Sequence, residues 1–331
     1  MMMCSRNKLC RSFLTTIITG MIIFPGYRLL ASGHFSEVPC LGLSPEYKLN
    51  SLFFSFDYLS QSNTFGVVNE LAKQPSYSGA VYYYSKYNFD LGVSAIITDN
   101  SDSSFTHASL EYEFMAGYAF SVSDNLTIYP SYTHFEYSKN SFTLQSLFTD
   151  IIQTDIYLDT KNYFGGVTAS YLFGNKNMFF GSVQNALGFD VEDFIFDNSL
   201  FSVQLEFDIN FSDKNYYNEF IYYDWSQEEF LTWVSEYYPR SETILAGQIL
   251  VNGLESTKTR FYDILTEYEP ELFKPYYTIT SVDFMLPIYY SVGSFMFNFT
   301  PYIIVPTANT VFYDQNPVFI FNAGIAYNLN F

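Results

Sequence analysis

The sequence predicts an all-β chain that closes into one antiparallel transmembrane barrel of about 12 strands. Three observations predict it. Apolar residues recur at every second position over runs of about ten residues. The opposite faces of those runs carry Gly, Ser, Asn and carboxylates. The connections alternate between tight turns and longer polar stretches.

Composition agrees with these observations. The 331 residues are 48% hydrophobic and 21% aromatic, with 31 Tyr and 36 Phe but only 2 Trp. Mean hydropathy is close to zero, which suits strands with one greasy and one wet face rather than a helical membrane protein or a disordered chain.

The chain opens with a three-part secretory pattern over residues 1–33. Arg6, Lys8 and Arg11 make a positive start, Phe13 to Pro25 is an apolar run, and Leu29 to Gly33 offers small residues for cleavage. The apolar run is shorter than the roughly 20 residues of a spanning helix. Residues 34–49 then form a periplasmic N-terminal segment ahead of the barrel, which occupies 50–331. Cys4 and Cys10 fall in the leader, so Cys40 has no intramolecular disulfide partner in the mature chain.

The strands are expected near 50–60, 78–85, 88–98, 107–121, 125–137, 162–173, 177–187, 200–211, 216–226, 275–290, 293–305 and 317–331. In the third, Phe89, Leu91, Val93, Ala95 and Ile97 oppose Asp90, Gly92, Ser94 and Ile96. In the fourth, Leu110, Tyr112, Phe114, Ala116 and Tyr118 oppose Glu111, Glu113, Met115 and Gly117. In the eighth, Val203, Leu205, Phe207, Ile209 and Phe211 oppose Ser202, Gln204, Glu206, Asp208 and Asn210. Strands of a soluble sandwich usually stop near five or six residues, so these runs favour a tilted membrane wall.

Tight turns lie near 85–88, 122–125, 174–177, 212–215 and 291–294, all rich in Ser, Asp, Asn or Gly. Longer stretches lie at 61–77, 99–106, 138–161, 188–199, 227–274 and 306–316. Outer-membrane barrels pair short periplasmic turns with long outer loops, which puts both chain ends in the periplasm. On that register Phe120, Phe173, Phe211 and Phe331 form a periplasmic aromatic girdle. The 227–274 outer loop is long enough to hide another hairpin, which would give 14 strands, or short helices at 228–234 and 257–265.

Hydrocarbon offers no hydrogen-bond partner, so only a closed sheet satisfies strands in lipid. The final segment reads Ala323, Ile325, Tyr327, Leu329, Phe331 on one face. It resembles the C-terminal strand of bacterial outer-membrane β-barrel proteins, which end in Phe with apolar residues two, four, six and eight places earlier. The resemblance implies an outer-membrane location, outer-membrane lipid as solvent, and the barrel assembly machinery as the partner that reads those five residues.

The net charge of −19 disfavours nucleic acid as a partner and favours cations. Asp57, Asp90, Glu111, Glu113, Glu206, Asp208 and Asp283 all fall on the expected lumen faces, on strands with almost no Lys or Arg. Such a wall focuses field on a pore and selects cations. No metal-spaced His/Cys set and no phosphate loop appears, so neither metal nor cofactor is expected. His34 lies beside the cleavage region; His107 and His134 are expected near the outer rim beside Ser103, Ser104 and Glu136, as polar rim residues in no nucleophile motif.

The sequence therefore points to a non-enzymatic channel or transporter for small polar or cationic solutes. A filled, non-conducting barrel that works through its outer loops is the alternative, and an outer-membrane hydrolase is third.

Overall fold

The computed structural model describes residues 49–60, 75–98, 109–137, 148–160, 162–174, 177–213, 227–238, 240–272, 274–307 and 316–331. The leader and most of 34–49 lie outside the described residues, with Cys4, Cys10, Cys40, His34, Ser103, Ser104 and His107. The chain divides into two compact units, a barrel and a second unit that includes Asp213–Thr278.

The barrel strands are β1 Ser51–Leu59, β2 Ser76–Tyr84, β3 Phe89–Thr98, β4 Ser109–Tyr118, β5 Phe120–Ser121, β6 Leu126–Tyr137, β7 Phe148–Asp159, β8 Tyr163–Gly174, β9 Met178–Glu192, β10 Ser199–Asp213, β11 Tyr277–Met285, β12 Ile288–Val292, β13 Phe295–Pro306 and β14 Val318–Asn330. They form a closed antiparallel ring of 12 staves. Two staves are each built from two strand segments. β4 and β5 both pair with β6 and are parted at Ala119. β11 and β12 both pair with β13 and are parted at Leu286-Pro287, where proline has no N–H for the ladder. The ring closes between β1 and β14, from Ser51 opposite Asn330 to Leu59 opposite Asn322.

Burial alternates along each stave as a strand demands. On β2 the inward positions Ser76, Ser78, Ala80, Tyr82 and Tyr84 are buried, whereas Tyr77 and Val81 are exposed. Around the ring the exposed face is almost wholly apolar: Phe54, Phe56, Val93, Phe114, Val167, Leu205, Phe297 and Ile325 all belong to it. A face like this is stable in lipid, not in water. No helix among the described residues is long and apolar enough to cross a membrane.

Two parts of the expected strand plan are corrected. Residues 138–161 were expected to be an outer loop, yet Phe148–Asp159 is β7, paired with β6 and β8. Its acids Asp150, Asp155 and Asp159 sit among apolar residues on both faces, which hides its period of two. Conversely, 216–226 lies outside the described residues, and the ring closes with β10 beside β11 and β12 without it. The total of 12 is therefore right with different members, and no fourteenth stave is present among the described residues.

Inserting β7 reverses the direction of every stave from β8 to β10. The tight connection near 174–177 thus lies at the end opposite the chain termini, and the turn at 193–198 lies at the terminal end. Phe173 and Phe211 follow it to the far end, so of the four expected girdle residues only Phe120 and Phe331 stand at the terminal end. At that end Asn88 makes the β2–β3 turn with φ 65°, a left-handed conformation that Asn tolerates.

The second unit answers the question left by 227–274. It holds three helices, α1 Gln227–Tyr237, α2 Glu242–Asn252 and α3 Leu254–Tyr268, followed by a 3₁₀ turn at Pro270–Leu272. Each helix supplies one i, i+4 pair to a shared core: Phe230 with Val234, Leu245 with Ile249, and Phe261 with Leu265. Gly253, at φ 82°, makes the sharp change of direction from α2 to α3 that a side chain would resist. Tyr238 packs edge-on against Phe261, and its phenol is pushed up by burial and by its hydrogen bond to Glu269.

Candidate functional site

The candidate site is the wall of the barrel interior. Strand alternation puts every second residue there, and the small or polar identity of those residues is what the sequence pattern reserves for a wet face. Among the described residues, no barrel strand carries a Lys or Arg.

The seven acids singled out in the sequence all lie on inward positions. Asp57, Asp90, Glu111, Glu113, Glu206 and Asp208 are buried, and Asp283 is half-buried. They are spread over β1, β3, β4, β10 and β11 rather than gathered in one cluster. No group of three or more His, Cys, Asp or Glu among the described residues is disposed to hold a metal ion. Sequence reasoning missed two further acids, Asp155 and Asp159, because β7 was taken for loop; both are buried on its inward face, Asp155 at 1% exposed. The signal for Asp155 was the outward series Ile152, Ile156 and Leu158 that frames it.

Five of these acids accept hydrogen bonds from neutral donors on the same stave, the next one or the one after it. Tyr129 donates to Asp90 Oδ2 at 2.6 Å. Ser94 donates to Glu113 Oε2 at 2.8 Å. Asp155 accepts from Thr168 at 2.5 Å and from Gln153 at 2.8 Å, and Gln153 in turn accepts from Ser170 at 3.0 Å. Asn210 donates to Asp283 Oδ2 at 2.9 Å, and Asn298 donates to Asp57 Oδ1 at 3.3 Å. These donors are hydroxyls and amides. Several inward polar atoms also have no partner, among them Gln184 Nε2, Gln204 Nε2, Asn298 Oδ1 and Thr300 Oγ1.

The interior is not uniformly polar. Phe53, Tyr82, Tyr84, Met115, Tyr129, Tyr157, Phe164, Tyr289 and Met296 form one buried cluster drawn from many staves, near the end that carries the termini. A smaller cluster, Leu59, Met285, Tyr302, Ile304 and Ile320, lies towards the other end.

His134 lies three residues before the end of β6 at Tyr137, towards the end of the barrel opposite the termini. It faces outward on β6, and its Nδ1 lies 2.9 Å from Asp150 Oδ1 on β7. Tyr132 donates to the same oxygen, and Thr149 donates to Oδ2 at 2.6 Å. The Asp150 carboxylate is thus engaged on both oxygens. The five residues of the expected assembly signal, Ala323, Ile325, Tyr327, Leu329 and Phe331, share the outward face at the seam, and the Phe331 N–H donates to the Asn50 carbonyl at 2.9 Å.

No family model matches the chain, and no curated protein matches it. Among solved structures, it is similar to a KdgM porin at 7% identity, covering 84% of this chain and 98% of that one, with a TM-score of 0.43. A NanC porin gives 9% identity, 84% and 100% coverage and a TM-score of 0.40. LpxR from Salmonella typhimurium gives 9% identity, 84% and 99% coverage and a TM-score of 0.43. Scores this low leave the barrel resting on its own strand pairing.

Proposed function

We propose that this chain is a bacterial outer-membrane channel for small polar or cationic solutes. The observation that carries the reading is the interior wall: Asp57, Asp90, Glu111, Glu113, Asp155, Glu206, Asp208 and Asp283 face inward on staves that carry no Lys or Arg among the described residues. A low-dielectric barrel strengthens the field of such charges, and hydrated acids in a pore favour cations. The matched porins are consistent with a conducting role for the same kind of barrel.

The test is the reversal potential of the refolded chain across a planar bilayer under a salt gradient. Cation preference is expected, and it should weaken as salt rises, because screening shortens to about 3 Å at 1 M. Replacing Glu111, Glu113, Glu206 and Asp208 by their amides should reduce the preference. Anion preference, or no response to the amides, would overturn the acidic-lumen reading and leave the barrel intact.

The aromatic cluster that includes Tyr82, Tyr129, Tyr157 and Phe164 favours a second reading, a filled barrel that does not conduct and works through its outer connections and helical unit. Absence of any single-channel step from a correctly folded preparation would select it.

A further inference from the structure

Beside the seam, three residues on three staves stand in one row: Asn298 on β13 is opposite Gly324 on β14, which is opposite Asp57 on β1. The two polar side chains meet across the glycine, where Asn298 Nδ2 donates to Asp57 Oδ1 at 3.3 Å. Glycine is required for this meeting. A Cβ on Gly324 would run into Asp57 Oδ1 and would stand 2.5 Å from Asn298 Oδ1. Oxygens of two different side chains therefore converge on a space that only a hydrogen atom fills.

Two further facts bear on this row. Asn298 is only 7% exposed, and its Oδ1 has no hydrogen-bond partner. Thr300, two residues along the same inward face of β13, is fully buried with a hydroxyl that also has no partner. A buried oxygen left unpaired costs about 1–3 kcal/mol, so these oxygens call for a guest that is an electron-pair acceptor. The guest must be small, because the side chains around it are buried. It must be positive, because a carboxylate, an amide oxygen and a hydroxyl are hard oxygen ligands.

The geometry points to a hard-cation site formed by Asp57, Asn298 and Thr300 and kept open by Gly324. It rests on the acidic-interior reading and gives the permeant ion a discrete stopping place. Mixed carboxylate, amide and hydroxyl ligation bridges β1 to β13 over β14, so an ion bound there also ties the first strand of the ring to its last two.

Terbium luminescence tests the site on the refolded full chain in detergent, with Tb³⁺ as the probe and Ca²⁺ as the competitor. Tyr289, buried and opposite Asn298 on β12, is placed to sensitise the ion. Saturable tyrosine-excited emission, displaced by Ca²⁺, is expected. Affinity follows ligand charge, so Asp57→Asn should weaken Tb³⁺ about tenfold and Asn298→Asp should tighten it about tenfold. Gly324→Ala should abolish binding by displacing both oxygens, and Glu271→Gln, exposed in the helical unit, should change nothing. Heat-modifiable migration on gels confirms that each variant is folded, and Asn298→Asp decides the matter where Gly324→Ala is not. Equal Tb³⁺ affinity in wild type and Asp57→Asn, or weaker binding by Asn298→Asp, overturns the site. Binding that tracks Asp57 in a barrel without conductance keeps the site and removes the channel; conductance with binding indifferent to Asp57 does the reverse.

Discussion

Tyr129 on β6 donates its phenolic hydrogen to Asp90 on β3 at 2.6 Å, reaching over Gly117 of the stave between them. A Cβ on Gly117 would run into the Tyr129 hydroxyl, so the bond exists only because β4 has no side chain at that point. Tyr129→Phe removes a donor from a buried carboxylate and should destabilise the refolded barrel by about 1–3 kcal/mol. Gly117→Ala should cost a similar amount by pushing the ring aside. Urea unfolding in lipid vesicles measures both, and combining the two changes should cost less than their sum, because each breaks the same bond.

A second expectation concerns the outer wall. Leu205 lies at the middle of β10 with its side chain 60% exposed on the apolar face. Lys at that position should cost roughly 2–4 kcal/mol near the bilayer midplane, whereas Lys in place of Phe297, close to the start of β13, should cost less. The same unfolding measurement compares them. Equal costs at the two depths would contradict a membrane-spanning wall.

The aromatic cluster should control passage. Tyr82 and Tyr157 are each buried within it. Replacing both by Ala should raise single-channel conductance while cation preference persists, because the acids stay in place. A preparation that stays silent after the double change, although folded, would support the filled barrel instead.

How far this could be read beforehand differed from stave to stave. Where one face meets lipid and the other is small or polar, as on β3, β4, β10 and β14, alternation announces the strand and its inward residues. β7 escaped because Gln153, Asp155 and Asp159 share it with Asp150 and Thr154, so polar residues appear on both faces. That polarity has a structural cause: Asp155 belongs to an interior hydrogen-bond chain and Asp150 to the outward His134 group. The acids on the recognised strands could be found individually, but not their partners. Tyr129 lies 39 residues beyond Asp90 and Asn298 lies 241 beyond Asp57, separations that only the register of the ring brings together.

The end of the chain supplies a fourth expectation. Phe331 stands on the outward face at the terminal end and is 57% exposed, so its own packing within the barrel is slight. Deleting it should nonetheless lower the folded, heat-modifiable fraction recovered from outer membranes, through loss of the assembly signal. Refolding of the purified chain in detergent should be affected much less. An equal loss in both settings would assign the residue a purely structural role.

The pairing of β1 with β14 has a kinetic meaning. Apart from β10 with β11 and β12, which the helical unit separates in the chain, every other junction joins strands adjacent in sequence, but this one joins the first to the last. Its closure carries the largest loop entropy, and topologies dominated by such distant contacts fold slowly. Until it forms, the nascent sheet presents two raw edges, each a template for joining a neighbouring copy. Ring closure is therefore the step at which this chain either becomes a finished barrel or begins to aggregate.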